Sequence, residues 1–376
     1  MRILITGGAG FIGSSLSMKL LEKGYSVRVI DNLSPQIHGD DPQKSELFQR
    51  IKNRVEFIFG DVRNKEDLQL AVKDVDAVVH LAAETGTGQS MYEVEKYIDV
   101  NINGTVNLLN VIAENQHQIK KIVVASSRAI YGEGKYECEE HGEVFPDSRS
   151  DEDLSKGDFS AKCPKCSRDV EVLATSEDSR INPLSIYGFT KFGQENLVML
   201  TGKSLNIPAV ALRYQNVYGP GQSLKNPYTG ILSIFSTRIK NGNDLMIFED
   251  GEESRDFVYI DDVTDATVQA IELDEANHQV FNVGTGQAVS VTEVARALLH
   301  HYGSDLTYQV SGHYRLGDIR HNFADLTKVT GALSFTPSYS FNEGIKKFTE
   351  WVNSQEVEED RYEHAMLEMK EKGLYK

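Results

Sequence analysis

Tyr187 and Lys191 stand four positions apart, which on a helix brings a phenol and an ammonium to one face. A free phenol keeps its proton up to a pKa near 10, and lowering that to about 7 takes roughly 4 kcal/mol of differential stabilisation. An adjacent ammonium in a partly desolvated site, helped by a second positive charge, supplies energy of that order. The ionised phenol then takes a hydroxyl proton while hydride leaves the same carbon, so the pair is useful only beside a hydride acceptor. On its own, a Tyr/Lys pair is a common feature of helix surfaces.

An acceptor site is indicated near the N-terminus. Gly7-Gly8-Ala9-Gly10-Phe11-Ile12-Gly13 follows an apolar run and opens a segment of helical period. Its glycines let the backbone turn tightly and approach a pyrophosphate, and the helix start presents unpaired N–H groups. A glycine triplet alone is weak evidence. Asp31 strengthens it, because a carboxylate at the end of the second strand accepts the ribose hydroxyl hydrogens and repels a 2′-phosphate, favouring NAD over NADP. Gly60-Asp61-Val62 ends the third strand, where an acidic side chain can meet the adenine amine.

A third group is Cys138-x2-His141 followed, after 21 residues, by Cys163-Pro164-Lys165-Cys166. Three thiolates and one imidazole in two close pairs fit a closed tetrahedral zinc site, which has no open position and is therefore structural. A Cys163–Cys166 disulfide or free thiols are the alternatives.

The elements that must position these groups alternate. Strands are expected at 2–6, 26–30, 55–59, 77–81, 121–126 and 209–213, and helices at 11–23, 65–73, 97–115 and 187–201. That rhythm predicts β-α-β units and an α/β, Rossmann-type doubly wound parallel sheet. Residues 1–132 and 177–213 form the dinucleotide domain, to which some later segments return. Residues 133–176, polar and holding all three cysteines, read as an insertion, and 214–376 mainly as a smaller α/β lobe. Near the end, Tyr362, Ala365, Met366 and Met369 recur at helical spacing, as in an amphipathic helix packed on its own protein or on a partner subunit.

Composition limits the function classes. The chain has 376 residues, 40% of them hydrophobic, and 39 basic against 56 acidic side chains leave a net charge of −17. That sign opposes general binding of nucleic acid or anionic lipid, while allowing a small anion held by a few arginines. No apolar run is long enough to span a membrane, the N-terminal run is too short for a signal peptide, and three cysteines make no disulfide framework. The expectation is a cytoplasmic enzyme.

Nearly the whole chain outside the insertion resembles the extended short-chain dehydrogenase/reductase family, which contains nucleotide-sugar epimerases and dehydratases. Besides the glycine turn, the resemblance is carried by His80-Leu81-Ala82-Ala83, Asn101 with Gly104-Thr105, Ser126-Ser127-Arg128-Ala129-Ile130-Tyr131-Gly132 and Tyr187-Gly188-Phe189-Thr190-Lys191. Leu212 through Pro220 and Ser254-Arg255-Asp256-Phe257-Val258 add to it. It implies NAD contacts from Gly7, Gly10, Phe11, Ile12, Gly13, Asp31, Asn32, Asp61, Val62, Leu81, Ala82, Ala83, Asn101, Ser126, Tyr187 and Lys191. Catalysis falls to Ser127, Tyr187 and Lys191, with the Ser127 hydroxyl holding the reacting oxygen.

In the 4,6-dehydratases of that family an Asp-Glu pair follows the Ser/Thr; here those positions are Arg128 and Ala129, so elimination lacks its acid and base. What remains suits reversible oxidation at one sugar carbon, hence C4 epimerisation of a nucleoside-diphosphate sugar. The resemblance places Asn216 and Arg255 at the diphosphate, and Arg315 with Asp318 at the diphosphate and ribose, guanidinium forks being suited to phosphate. Glu84, Thr87, Ser127, Arg128 and Tyr228 are expected around the sugar. The Cys/His insertion together with the 84–90 and 226–230 segments most resembles the subfamily of dTDP-L-rhamnose 4-epimerases. Ser127 and Tyr187 are 60 positions apart, so the insertion springs from the edge of the site and is a candidate lid. A homodimer pairing through the Tyr187 helix is implied. The rivals are an NAD(P)-dependent reductase or dehydrogenase of the same sugars, and a non-catalytic NAD- and zinc-binding sensor.

Overall fold

The structure, a computed structural model, describes residues 1–115, 118–225, 230–373 and 375–376. Seven short runs pair in parallel: β1 (Arg2–Thr6), β2 (Ser26–Asp31), β3 (Glu56–Phe59), β4 (Ala77–His80), β5 (Lys121–Ser127), β6 (Ala209–Tyr214) and β7 (Gln279–Val283). Their order across the sheet is β7-β6-β5-β4-β1-β2-β3. Six stand within a residue or so of the expected strands. The seventh escaped the sequence reading because Asn282 interrupts its apolar run; that side chain is fully buried, accepting from Tyr131 Oη (2.8 Å) and donating to Thr175 O (2.9 Å).

The helices used below are α1 (Phe11–Glu22), α2 (Lys65–Val72), α3 (Gly104–Glu114), α4 (Ile186–Leu205), α5 (Ile231–Lys240), α6 (Ile260–Glu272), α7 (Val291–Tyr302), α8 (Phe341–Asn353) and α9 (Tyr362–Glu371). Alternate strand residues face opposite ways. Ile3 and Ile5 join Leu16 and Leu20 of α1 and Val263 and Ala266 of α6 on one face. Leu4 joins Leu68 of α2, Leu108 and Ile112 of α3 and Val198 of α4 on the other. Burial on both faces is what an all-parallel sheet requires.

One expected helix is not continuous. Residues 97–115 divide into a short helix ending at Tyr97, a wide π-turn over Ile98–Asn103, and α3. Such a turn relaxes the helical ladder, and here it seats Asn101 against Glu84 and Thr190.

Past β6 the chain builds a second lobe in which α5, α7 and α8 close around Tyr218, Phe235, Phe257 and Phe348. The helix α6 and the strand β7 return to the sheet. Helix α9 packs on its own chain, with Tyr362, Ala365, Met366 and Met369 against Ile234, Met246, Phe248 and Tyr375. The insertion forms a three-stranded antiparallel sheet with Tyr136–Cys138 between Gly142–Val144 and Glu171–Val172, over a small core of Tyr136, Cys138, Val144, Ala161 and Cys163. Among the described residues no helix is long and apolar enough to cross a membrane.

Candidate active site

Helix α4 begins where the Ser185 hydroxyl accepts the Gly188 N–H (3.0 Å), an N-cap. Gly188 lets that first turn approach the 128–131 segment, since a Cβ there would lie 2.6 Å from the Ala129 carbonyl oxygen. Tyr187, in this turn, is thereby brought to the end of β5, where its phenol meets the Ser127 hydroxyl. Burial pushes the phenol above its ordinary pKa, while the Ser127 hydrogen bond and the Arg128 guanidinium pull the other way.

One turn on, Lys191 is 3% exposed and donates to Gln194 Oε1 (2.7 Å). Burial drives its pKa down to about 7 against the pull of Glu195. Gln194 Nε2 in turn donates to Thr105 Oγ1 (3.0 Å) and meets His80 Nε2 (3.1 Å), and His80 Nδ1 bonds Thr6 Oγ1 (2.7 Å). His80 is a neutral packing group whose pKa burial lowers to about 3, next to the Lys191 charge. Lys191 is tied to the sheet through Gln194, and the Arg128 guanidinium acts on the Tyr187 phenol from the other side of the turn.

A cavity of about 480 Å³ opens from this pair along the C-terminal ends of the strands. Its wall runs from Gly7, Gly10, Phe11, Ile12 and Gly13, past Asp31, Asn32, Asp61, Val62, Leu81, Ala82, Ala83, Glu84 and Thr87, to Ser126, Ser127, Tyr187, Lys191 and Asn216. Gly7 has φ +68°, and a Cβ on it would meet the Ala82 backbone at 2.8 Å. The first turn of α1 has no side-chain cap and no acidic residue, which leaves its N–H groups available to an anion.

Asp31 accepts the Ala9 N–H (2.9 Å) and the Leu33 N–H (2.8 Å), with burial pushing its carboxyl up against those bonds. Asp61, bonded by Arg63 and Asn32, is held down at about 2. Ser126 Oγ is buried without a partner. A cradle, an uncapped helix start, two strand-end carboxylates and an unpaired hydroxyl fit a dinucleotide. Asn101 does not line this cavity; it is fully buried, and its carboxamide is used by Glu84 and Thr190.

The expected sugar and diphosphate residues are gathered less directly. Arg128 Nε donates to Asn216 Oδ1 (2.7 Å), and burial, reinforced by Arg255, lowers Arg128 to about 9. Arg255 donates to the carbonyls of Ser254 (2.8 Å), Arg320 (3.0 Å) and Ile319 (2.7 Å). Arg315 pairs with Asp318 at 2.7 Å, and these two, with Thr87, line a separate cavity of about 50 Å³. Burial pushes the Asp318 carboxyl up, but Arg315, Arg255, Arg149 and Arg128 together hold it below the usual range. The Glu84 carboxylate is engaged by Lys96 (3.2 Å). Tyr228 lies outside the described residues.

Two features went unread in the sequence. Gln194, three positions after Lys191 on the same helix face, was legible from spacing alone. The second left no local signal: Arg149 of the insertion forks onto Glu249 (2.6 and 2.8 Å), reaches the Asp318 carbonyl (2.9 Å) and lies 3.4 Å from Glu133. Glu133 also accepts the Arg320 N–H (2.7 Å), and Arg320 forks onto Asp250 (2.6 and 2.7 Å).

The Cys/His groups also converge. The ligand atoms of Cys138, His141, Cys163 and Cys166 lie within 4.8 Å of one another. Cys138 Sγ is 3.7 Å from Cys166 Sγ and 3.6 Å from His141 Nδ1, and Cys163 Sγ is 3.7 Å from His141 Nδ1. Bonds of zinc to sulfur and nitrogen give tetrahedral edges of about 3.5–3.8 Å, so the set fits the metal. No disulfide joins the three cysteines.

Strands, cradle and Ser/Tyr/Lys set together have the form of a nicotinamide-dependent short-chain dehydrogenase/reductase. The chain belongs to the NAD dependent epimerase/dehydratase family, matching it over residues 3–153 and 163–284 with a gap inside the insertion. It is 36% identical to the dTDP-L-rhamnose 4-epimerase of Burkholderia thailandensis over 95% of this chain and 96% of that enzyme. Among solved structures it resembles the Thermotoga maritima UDP-glucose 4-epimerase with UDP-glucose (TM-score 0.75, 31% identity, covering 94% of this chain and 99% of that one). It also resembles the Bacillus cereus UDP-glucuronic acid 4-epimerase in complex with UDP-glucuronic acid and NAD (TM-score 0.77, 29% identity, the same coverage).

Proposed function

We propose that this chain is an NAD-dependent isomerase that inverts C4 of a nucleoside-diphosphate sugar, most similar in substrate to the dTDP-L-rhamnose 4-epimerase it resembles. The observation that carries the reading is the Ser127–Tyr187 contact at the end of a cavity that begins at the glycine cradle, with Arg128 and Ala129 where elimination would need carboxylates. NAD supplies a reversible acceptor for the C4 hydride. Tyr187 takes the C4 hydroxyl proton and returns it, while Ser127 holds the C4 oxygen as the alcohol becomes a ketone and back. Arg128 offsets the charge developing on the phenol, and Gln194 holds Lys191 beneath it. Asn216, Arg255 and the Arg315–Asp318 loop retain the nucleotide while the 4-keto sugar turns about its diphosphate link, so that hydrogen returns to the other face. The test is an NMR assay with dTDP-L-rhamnose and UDP-glucose, expected to show C4 inversion without net NADH; steady NADH release would make the enzyme a dehydrogenase.

We assign the Cys138/His141/Cys163/Cys166 cluster to one structural zinc that organises the polar insertion. Metal analysis of native protein is expected to give about one zinc per chain, and a metal-free folded protein would refute the assignment. Phe189 (53% exposed) and Leu200 (66% exposed) on α4, with Val106 (36% exposed) on α3, form the apolar face proposed to pair two copies.

A further inference from the structure

No residue of the Cys/His insertion, 133–176, lines the main cavity or the smaller one beside Arg315. The insertion bears instead on the stretch 314–320, which carries Arg315 and Asp318. Tyr314 Oη donates to Asp151 (2.7 Å) in the insertion's short helix Asp151–Ser155. Leu154 and Phe159 bury against Tyr314, with Leu316 packed on the same cluster, so apolar contacts hold the residues on both sides of Arg315. Arg149 donates to the Asp318 carbonyl (2.9 Å), and Glu133 accepts the Arg320 N–H (2.7 Å).

The groups that make this seat run back to the metal ligands. Tyr136, two positions before Cys138, is fully buried in one core with Cys138, Ala161 and Cys163. Its Oη donates to Glu133 (3.2 Å) and accepts the His321 N–H (3.2 Å). Phe159 lies two positions before Ala161, and its carbonyl accepts from Arg149 (3.1 Å). The seat is therefore built from the two stretches that lead into the thiols.

That core is small. Of its five buried side chains two are the cysteines themselves. A polar segment with so little apolar area draws much of its folding energy from a bound metal. An ordered seat and an occupied cluster then belong to one equilibrium, and such linkage is reciprocal: whatever favours the seated form of 314–320 also favours retention of the metal.

We infer that metal occupancy of the Cys138/His141/Cys163/Cys166 cluster sets the affinity of the cleft for its nucleotide sugar, by fixing the 314–320 stretch from behind, and leaves the NAD end untouched. The inference rests on both the zinc and the nucleotide-sugar readings above. The test follows zinc release from the full-length protein to a chromogenic chelator, alone, with saturating dTDP-L-rhamnose or UDP-glucose, and with excess NAD. The sugar nucleotide that the protein binds is expected to slow release roughly 10- to 100-fold, while NAD leaves the rate unchanged. Chelator-treated protein should lose the same factor in sugar-nucleotide affinity and keep its NAD. Tyr136→Phe retains every metal ligand and removes only the hydroxyl that meets Glu133 and His321; it should keep its zinc and show weaker protection. Release that is equal with and without sugar nucleotide would overturn the inference, as would undiminished affinity after metal removal. Release slowed just as much by NAD would show a general tightening of the fold and overturn it too. Native protein without zinc would strike the metal reading, and zinc-loaded protein that binds neither sugar nucleotide would strike the functional one, each taking this inference with it.

Discussion

At its dinucleotide end the cleft is made from neighbouring stretches of sequence: Gly7 to Gly13 between β1 and α1, then Asp31 at the end of β2 and Asp61 just past β3. At its sugar end, Arg128, Asn216, Arg255 and Asp318 come from four separate stretches. Arg128 bonds Asn216, Arg149 of the insertion reaches the Asp318 carbonyl and Arg255 donates to the Arg320 carbonyl, while Glu133 and Glu249 brace Arg149 and Arg320. The first end recognises with backbone N–H groups and a helix start, which need only a turn and a strand to position them. The second recognises with long charged side chains, which must be taken out of water and braced by other charges. Such buried pairs add little net stability, but losing one partner strands the other. The end built from Arg128, Asn216, Arg255 and Asp318 is thus the more fragile one.

The sharpest way to test that division is Tyr187→Phe, which removes the group serving both ends. Turnover is expected to fall on the order of 10²- to 10⁴-fold, with NAD content and sugar-nucleotide affinity unchanged; retained turnover would take the phenol out of the mechanism. Arg149→Met comes next. It leaves the side chain of Glu133 without its cation and that of Glu249, likewise 0% exposed, with Arg320 alone at 3.2 Å, and should cost roughly 3–5 kcal/mol in urea unfolding. Sugar-nucleotide KM should rise while NAD stays bound, and a parallel loss of NAD would show that the two ends are not separable.

Asp31→Asn attacks the other end. NAD affinity should drop by roughly 1–3 kcal/mol in a fluorescence titration, discrimination against NADP should relax, and dTDP binding should not move. The effect of His80 is expected only at acid pH. Its folded pKa of about 3 lies below the ordinary 6.5, so between those values the unfolded chain binds a proton that the folded chain refuses. Stability is then lost as pH falls from about 6.5 toward 3, by at most about 1.4 kcal/mol per pH unit. His80→Gln should flatten that slope relative to wild type in paired urea titrations, and identical slopes would mean that the imidazole accepts its proton in place.

How much of this was legible in the residues follows the same division. β1 to β6, the glycine turn and the Cys/His spacing are local patterns, and they stand where spacing placed them. β7 was hidden because its buried Asn282 is satisfied by Tyr131, Thr175 and Asp325, none of them near it in sequence. The π-turn at Ile98–Asn103 was hidden for a similar reason, since Asn101 answers to Glu84 and Thr190. Helical spacing pairs Lys191 with Tyr187 but says nothing of Arg128, which acts on the phenol from just past the end of β5. The charge network of Arg149, Glu249 and Arg320 has no short-range signature at all.

The line of contacts Thr6–His80–Gln194–Lys191 starts in the last residue of β1, immediately before the glycine turn, and finishes one helical turn beyond Tyr187. The floor of the cofactor berth and the seat of the lysine are therefore one rigid strut. Homologous chains that exchange the glutamine for an apolar residue should show compensating changes at the threonine or at the groups flanking the imidazole, so that these positions drift through evolution as a set.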